Sequence, residues 1–314
     1  KKNKNNTNQN KSTKILTKIM PDLLTFGQYR HILNTIINYE NMAGKYGPQE
    51  CTGTAKEECS MFSRNDFPVL EFDDNPTAKL NPINFVDKKF GTDRMVITFF
   101  PEVVNQLAES GQITEERLIS GENPFMVYRF TEQPHVLLTL GQVGCPACAG
   151  NLDEFHAMGI TKVMFCGGGG VLDRDIEVGR ILVVDGAIRD EGFSYQYIPP
   201  SRVIYTNPEI TDKISGYLDR NRIPYLRGLT WTTDAIFRET ADRIVRRKEE
   251  GAKIVEMEQA GCIAVAQFRG FDYGALIYGG DDLSGEEWSG RGWNSRQGIR
   301  HDLVMLCSKL VEII

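Results

Sequence analysis

The stretch KVMFCGGGGVLDRD, residues 162–175, places four consecutive glycines directly after a short apolar run. The apolar run at 162–166 predicts a buried β-strand. Glycines have no side chain, so their backbone can approach another group closely. That group is a dinucleotide, a triphosphate, another stretch of backbone or a smaller anion. We interpret the glycines as a turn at the end of the strand.

The spacing of the glycines argues against both common nucleotide loops. Counted from Gly167 or Gly168, the pattern G-x-G-x-x-G places Leu172 or Asp173 where the last glycine belongs. A Walker loop requires Lys followed by Ser or Thr, and no lysine follows the glycines closely. A close strand crossing or a bulge remains the structural alternative to a ligand site.

Around this stretch, short apolar runs alternate with helical patterns. Further strands are predicted at 95–100, 125–130, 135–141, 179–188, 225–233, 252–258 and 273–280. Helices are predicted at 102–111, 146–159, 208–221, 239–251, 259–270 and 295–314. Strands that are apolar on both faces and separated by helices indicate an α/β fold. We therefore expect a single domain with a central mixed, mainly parallel β-sheet flanked by helices, plus an N-terminal extension.

The first 92 residues differ from the remainder. Residues 1–20 are predicted to be a polar, mobile tail, and residues 21–92 an extension with a helix near 26–40 and an irregular segment. The α/β domain is expected to cover 93–314. The opening KKNKNNTNQNKSTK has no apolar core and does not resemble a secretory signal.

Composition narrows the class of protein. The 314-residue chain carries a net charge of −6, which argues against a nucleic-acid partner. No apolar run reaches the roughly 20 residues of a membrane-spanning helix, so no membrane partner is expected. Seven cysteines, an odd number, fit a reducing compartment, and we expect a cytoplasmic protein. The pair Cys145 and Cys148 has no second ligand pair, so no metal site is predicted.

Polar side chains follow three of the predicted strands. Glu256 and Glu258 flank Met257 in IVEMEQAG, where a strand meets a helix. TWTTDAIFRET at 230–240 and YGGDDLSGEEW at 278–288 end two other strands. Ligands of open α/β sheets bind at the carboxyl ends of strands. Two carboxylates beside a thioether suit sugar hydroxyls and an apolar ring.

These segments resemble the nucleoside phosphorylase family, which includes bacterial purine nucleoside phosphorylases, uridine phosphorylases and methylthioadenosine nucleosidases. VEMEQAG is similar to the family's ribose motif V-E-M-E-x-A. GQVGCPACAG is similar to its G-M-G-x-P-S turn, and CGGGGVL to its I-G-T-x-G-x-L segment. VGRILVVDGAIRDEGFSYQY is similar to the family segment that carries VGDIV. The resemblance covers about residues 93–310.

The resemblance implies roles for the sugar-binding and base-binding residues. Glu258 would hydrogen-bond the ribose 2′- and 3′-hydroxyls, Met257 would pack against the sugar, and Glu256 would lie near the base or ribose. Ile236 and Phe237 match positions that lie against the nucleobase.

The resemblance also implies the reaction. The family cleaves the N-glycosidic bond of a nucleoside, most often by phosphorolysis to free base and (deoxy)ribose 1-phosphate. Asp281 matches the acid that protonates a purine at N7, and Asp282 takes its place if the register shifts by one. Cleavage passes through an oxocarbenium-like sugar, so it needs leaving-group protonation and a nucleophile on the opposite face. The expected small-molecule partners are the nucleoside and inorganic phosphate as co-substrate, with no cofactor.

Phosphate binding is where this chain departs from the family. Phe165 stands where an arginine is expected, and Gly168 stands where a threonine or serine is expected. The remaining candidates are the backbone of Gly144, Gly167 and Gly168, with Arg189 as the first choice of cation. Without a cation, water would be the nucleophile and the protein a hydrolytic nucleosidase. A non-catalytic nucleoside-binding protein on the same fold is the other alternative.

The identity of the base stays open between purine and uracil. Asp281 favours a purine, because pyrimidine-cleaving relatives need no acid at N7. TTDAIFRET is closer to the uridine phosphorylases, and Arg238 and Glu239 would read the O4, O2 and N3–H groups of uracil. Members of the family assemble as dimers or hexamers, so a homodimer or homohexamer is expected.

Overall fold

The computed structural model describes residues 64–121 and 123–314. The described strands are β1 Arg94–Thr98, β2 Ile113–Ile119, β3 Phe125–Phe130, β4 Val136–Leu140, β5 Lys162–Val171, β6 Ile181–Asp190, β7 Val203–Tyr205, β8 Tyr225–Thr233, β9 Ala252–Glu256 and β10 Asp272–Asp282. The described helices are α1 Pro101–Glu109, α2 Cys145–Ala157, α3 Pro208–Arg220, α4 Ala241–Glu249, α5 Gln259–Arg269 and α6 Gln297–Leu310. The predicted tail at 1–20 and the helix near 26–40 lie outside the described residues.

The strands form one mixed sheet, part of which closes on itself. Its order is β10-β6-β8-β9-β5-β1-β4-β3-β2, with β7 beside β6 and an additional β10–β5 pairing. Strands β5, β10, β6, β8 and β9 therefore close a barrel, and β1, β4, β3 and β2 extend from it. In the described chain five pairings are parallel and five are antiparallel. The expected α/β domain is present, but the mainly parallel sheet is not, because short connections join β2, β3 and β4 as antiparallel neighbours.

Strand β5 links the barrel to the extended part of the sheet. Its first half pairs with β1, up to Cys166, and with β10. Its last residues, Gly170 and Val171, pair with β9. The glycines therefore continue the strand, and their interpretation as a strand-end turn is wrong.

The missing side chains explain why the glycines remain in the strand. A Cβ atom added to Gly169 would lie 2.5 Å from the backbone oxygen of Val255 on β9. A Cβ atom added to Gly168 would lie 2.8 Å from the ring of Tyr278 on β10. The glycines thus allow β9 and β10 to approach β5 closely.

Helices cover both faces of the strands, as the alternating pattern predicts. Val163 and Phe165 of β5 belong to a buried cluster that also contains residues of α2 and α5. Met164 and Cys166 point to the opposite cluster, which contains residues of α1, α3 and α6. Because alternate residues of β5 point to opposite faces, its uniformly apolar first half is the signature of a strand buried on both sides.

The buried cysteines contribute to this packing. The described cysteines are free and buried; they are Cys145, Cys148, Cys166, Cys262 and Cys307. The Sγ atom of Cys148 lies 3.8 Å from that of Cys262, which joins α2 to α5. No group of three or more metal-binding side chains occurs in the described ranges. Within those ranges, no helix is both long enough and apolar enough to span a membrane.

Residues 64–92 pack onto the α/β domain without forming a strand. They contain two single 3-10 turns, at Pro68–Leu70 and Pro82–Phe85. Phe90 is buried in the same cluster as α2 and α5. Arg269 of α5 donates a hydrogen bond of 2.8 Å to the carbonyl oxygen of Pro76.

The contact between β5 and β9 gives a stability test. Gly169→Ala forces a Cβ atom against the Val255 oxygen, and we expect it to lower the free energy of unfolding by about 1–3 kcal/mol. Gly150→Ala is the matched control. Gly150 lies within α2, and a Cβ atom there would meet nothing within 4 Å apart from the backbone of its own helix. This substitution should raise stability by about 0.5–1 kcal/mol. Urea unfolding measures both, and equal midpoints for the two variants would contradict the close contact.

Candidate active site

One cavity of about 880 Å³ opens beside the glycines. Its wall combines the glycine stretch of β5, the end of β9, the connection between β8 and α4, and the end of β10. The residues that line it include Gly167, Gly168, Ile236, Phe237, Glu239, Glu256, Met257, Glu258, Asp281, Glu286, Trp288 and Trp293. The three polar segments found in the sequence therefore meet at one place.

Glu256 is held by the fold at the junction of β9 and α5. One carboxylate oxygen accepts hydrogen bonds from the backbone N–H groups of Glu258, at 2.6 Å, and Gln259, at 2.7 Å. The other accepts from the Thr232 hydroxyl at 2.5 Å. Acceptors at the start of a helix satisfy N–H groups that have no partner within the helix. Glu256 thus anchors the start of α5, and both its oxygens are engaged.

Glu258 lies at the first turn of α5 with its carboxylate buried. One oxygen accepts a hydrogen bond of 2.8 Å from the N–H of Gly144, and the other faces the N–H of Met257 at 3.3 Å. Burial, and then the negative charge of Glu256, raises the pKa of Glu258 above its ordinary range. Gly144, expected to bind phosphate, therefore positions the carboxylate expected to bind ribose.

The connection between β8 and α4 contributes apolar surface and one acid. Ile236 and Phe237 line the cavity, and Phe237 is 94% exposed. Glu239 also lines it, half-buried. Burial, and then the negative charge of Asp281, raises the pKa of Glu239 to about 7. Arg238 is exposed and is not part of the lining, so the structure does not bring it together with Glu239 in the cavity.

The two consecutive aspartates of β10 have different surroundings. Asp281 lines the cavity, and its Oδ2 atom accepts a hydrogen bond of 2.7 Å from the indole N–H of Trp288. Asp282 is buried outside the lining, and its Oδ1 atom accepts hydrogen bonds from the N–H and hydroxyl of Ser284. Burial raises the pKa of Asp282, but these hydrogen bonds and the charges of two arginines outweigh it and leave the pKa lowered. Asp281 is therefore the aspartate available to a ligand.

Arg189, the expected phosphate cation, is buried away from the cavity. Its guanidinium lies 4.1 Å from the ring centroid of Tyr195. Its nitrogen atoms donate hydrogen bonds at 2.8 to 3.1 Å to Ser194, Ser201 and the carbonyl oxygens of Pro199 and Ile198. Four hydrogen bonds of Arg189 thus hold this loop, and Arg189 is not part of the cavity lining.

Comparison with known proteins places the chain in a family. Residues 93–302 match the family model of the phosphorylase superfamily. The chain belongs to this superfamily. It is 27% identical over 134 residues to a guanosine phosphorylase of Halorubrum lacusprofundi, which is 43% of this chain and 56% of that protein. It is 26% identical over 102 residues to a uridine phosphorylase of Thermococcus kodakarensis, which is 32% of this chain and 37% of that protein. The matches thus span about half, or less, of these curated relatives.

Solved structures of nucleoside phosphorylases share the fold. A purine nucleoside phosphorylase of Toxoplasma gondii in complex with immucillin-H aligns with a TM-score of 0.59 at 15% identity. The alignment covers 70% of this chain and 92% of that one. A uridine phosphorylase of Vibrio fischeri aligns with a TM-score of 0.59 at 17% identity, covering 72% of this chain and 98% of that one.

The cavity of this superfamily member is acidic. Five carboxyl side chains line it, and no arginine, lysine or histidine among the described residues does so; the five are Glu239, Glu256, Glu258, Asp281 and Glu286. The buried Arg300 lies just behind the lining, with its guanidinium 5.0 Å from the ring centroid of Phe100 and 5.1 Å from that of Trp293. It donates a hydrogen bond of 2.7 Å to Glu102. An anion in the cavity therefore faces backbone groups and carboxylates.

Sequence reasoning missed Trp288, Trp293 and Thr232 as parts of the site. Trp288 is the last residue of YGGDDLSGEEW, seven residues after Asp281. An indole N–H so close to an aspartate in the sequence was a signal that could have found it. Thr232 follows from the register, because Thr232 pairs with Glu256 across β8 and β9. Trp293 lies in a separate 3-10 turn, and nothing in its local sequence relates it to the glycines.

The buried Glu258 makes stability depend on pH. The carboxyl has its ordinary pKa of 4.5 in the unfolded chain and a raised one in the folded chain. The folded state then holds the proton more tightly, and it loses stability as pH rises above 4.5. Glu258→Gln keeps an oxygen for the Gly144 N–H but cannot ionise. We expect its unfolding free energy, relative to the unmodified chain, to increase between about pH 5 and about pH 8.

Urea unfolding at the two pH values measures this difference. Glu249→Gln is the control, because Glu249 is exposed on α4. An equal difference at both pH values for Glu258→Gln would contradict the raised pKa.

Proposed function

We propose that this protein cleaves the N-glycosidic bond of a nucleoside by phosphorolysis, giving free base and (deoxy)ribose 1-phosphate. The observation that carries this proposal is the presence of two kinds of groups in one cavity. Met257 and Glu258 supply an apolar surface and a carboxylate for a sugar, and Ile236 and Phe237 supply apolar surface for a base. Asp281 and Glu239 supply carboxyl groups at the base.

Glu258 is proposed to bind the ribose hydroxyls. A carboxylate accepts hydrogen bonds only, so it suits the two O–H donors of a ribose 2′,3′-diol. The N–H of Gly144 holds one of its oxygens and fixes its direction. A pre-positioned carboxylate also stabilises positive charge that develops on the sugar in the transition state.

A purine is the favoured base, with uracil as the alternative. Asp281 and Glu239 line the same cavity as the exposed ring of Phe237. A purine N7 atom accepts a proton as the base leaves, which a carboxyl group can supply. Relatives named guanosine phosphorylase and uridine phosphorylase are compatible with either base.

Inorganic phosphate is the proposed nucleophile, and no other co-substrate or cofactor is required. The named relatives are phosphorylases. The backbone of Gly167 and Gly168 borders the cavity beyond the end of the β1 ladder. Arg189 is left out of this proposal because its donors are engaged elsewhere.

Hydrolysis by water is the second candidate, and one observation favours it. The described lining carries five carboxyl groups and no cation. A phosphate dianion would be repelled there unless a cation from outside the described residues reaches it. Water has no such requirement.

A homodimer or homohexamer in the cytoplasm is part of the proposal. Four large apolar residues on the cavity wall are exposed in the single chain: Val143, Ile236, Phe237 and Trp288. A neighbouring subunit would cover such a patch. Analytical ultracentrifugation tests this point, and a monomer at micromolar concentration would contradict it.

Base release from defined nucleosides, with and without phosphate, tests the function. Guanosine, inosine, adenosine and uridine are incubated with the purified protein, and the products are separated by chromatography. We expect release that requires phosphate and yields pentose 1-phosphate. Phosphate-independent release with free ribose would support the hydrolytic alternative, and saturable nucleoside binding without release would indicate a binding protein.

Replacing Glu258 tests the sugar assignment. Glu258→Ala removes the acceptor of the ribose hydroxyls, and we expect kcat/KM to fall by about 10²-fold or more, since two hydrogen bonds to a charged group are lost. Glu249→Gln, an exposed change outside the cavity, should leave kcat/KM within about twofold. Full activity of a folded Glu258→Ala variant would refute the assignment.

A further inference from the structure

The cavity contains two acids whose partners differ. Glu239 follows the 3-10 turn Ile236–Arg238, and its half-buried carboxyl faces the cavity. Within the described ranges, no hydrogen bond or ion pair reaches that carboxyl. Burial and the charge of Asp281 are the influences that act on it. A carboxyl group in such a place is most stable when it carries its own proton.

Asp281 is held in the opposite way. The indole N–H of Trp288 donates a hydrogen bond of 2.7 Å to its Oδ2 atom. An indole nitrogen can only donate, so the aspartate oxygen must accept. This contact occupies Oδ2 and leaves the Oδ1 atom free of Trp288.

The two acids line one cavity and differ in their hydrogen-bond partners. Two carboxylates that share a site resist ionising together, so the environment decides which one keeps the proton. Here Trp288 engages one oxygen of Asp281, whereas no hydrogen-bond partner among the described residues engages the carboxyl of Glu239. Burial, and then the charge of Asp281, raises the pKa of Glu239 to about 7, so this carboxyl is the one that keeps a proton near neutral pH.

We propose that Glu239, and not Asp281, protonates the leaving purine, while Trp288 acts as a positioning residue that engages Asp281. The proposal rests on the nucleoside cleavage proposed above and assigns its proton donor. It differs from what the resemblance implies, which gives the acid role to Asp281.

The proposed step is a substitution at C1′ of the nucleoside. The bond between C1′ and N9 breaks, and its electron pair goes to the base. The Glu239 proton moves to N7 of the base, which leaves as the neutral purine. An oxygen of inorganic phosphate forms the new bond to C1′, and the proton that this hydrogen phosphate loses returns to Glu239 through solvent. No electrons are exchanged with any other reagent.

The other charged groups around the cavity do not replace this donor. Glu256 is occupied by Thr232 and by two backbone N–H groups at the start of α5. Glu258 accepts from Gly144 at the sugar side, and Glu286 lies in the loop after β10. No basic side chain of the described ranges lines the cavity and competes for the charge of Asp281.

Two substrates separate proton donation from every other role. Guanosine needs a proton to release its base. In 7-methylguanosine N7 is already alkylated and positively charged, so its base leaves without one. We expect Glu239→Gln to lower kcat for guanosine by about 10²–10⁴-fold and to change kcat for 7-methylguanosine by less than about fivefold. Glu249→Gln is the control acid, exposed and outside the cavity.

The pH profile gives a second, independent measurement. The acid must be protonated, so kcat for guanosine in the unmodified protein should fall as pH rises through about 7. Asp281→Asn removes the negative charge that helps Glu239 keep its proton, so kcat for guanosine should begin to fall at a lower pH. Trp288→Phe keeps an aromatic ring but removes the N–H. We expect the pH at which kcat for guanosine falls to shift, while the rate for 7-methylguanosine is retained.

The outcomes are distinct. Two results together would assign the acid role to Asp281 and overturn the inference. They are loss of guanosine cleavage in Asp281→Asn at every pH, and an unchanged ratio of guanosine to 7-methylguanosine cleavage in Glu239→Gln. Cleavage of uridine alone would overturn the inference as well, because uracil has no N7. If the unmodified protein cleaves no nucleoside, the proposed function fails and the inference fails with it. Thermal unfolding of each variant identifies losses caused by misfolding.

Discussion

The close contact of β5 with β9 and β10 is the constraint on which the rest of the structure depends. Side chains at Gly168 and Gly169 would occupy the positions of the Tyr278 ring and the Val255 carbonyl oxygen. Without them, one strand belongs both to the extended sheet and to the barrel. The barrel in turn brings the ends of β8, β9 and β10 around a single cavity. The glycines thus serve a backbone contact first, and the cavity follows from it.

The same geometry makes one residue structural and its neighbour available. Glu256 gives both carboxylate oxygens to Thr232 and to the first N–H groups of α5. These hydrogen bonds fix the start of the helix. Glu258, two residues later, therefore lines the cavity, and its one short hydrogen bond is to the N–H of Gly144. Buried carboxylates oppose each other's ionisation, so stability is lost where acids are gathered. Such losses are typical of ligand sites.

Local patterns predicted most of the elements and the meeting of the polar segments at one cavity, but not the closure of the barrel. The boundaries of β3 and β8, the helices on both faces and the meeting of the three polar segments follow from periodicity and from strand-end logic. The barrel depends on the β10–β5 pairing between residues more than 100 positions apart, which no local pattern encodes. The role of Arg189 failed for a similar reason: charge is visible in the sequence, whereas the loop carbonyls that engage it are not.

The charge of the cavity links the choice of acid to the choice of nucleophile. Five carboxyl groups surround a space in which the described chain places no cation, and each ionised one repels a phosphate dianion. A proton kept on Glu239 removes one of these charges. In the proposed reaction, the proton that prepares the base to leave would therefore also reduce the repulsion that an incoming phosphate meets. Leaving-group activation and anion binding would then depend on the same proton.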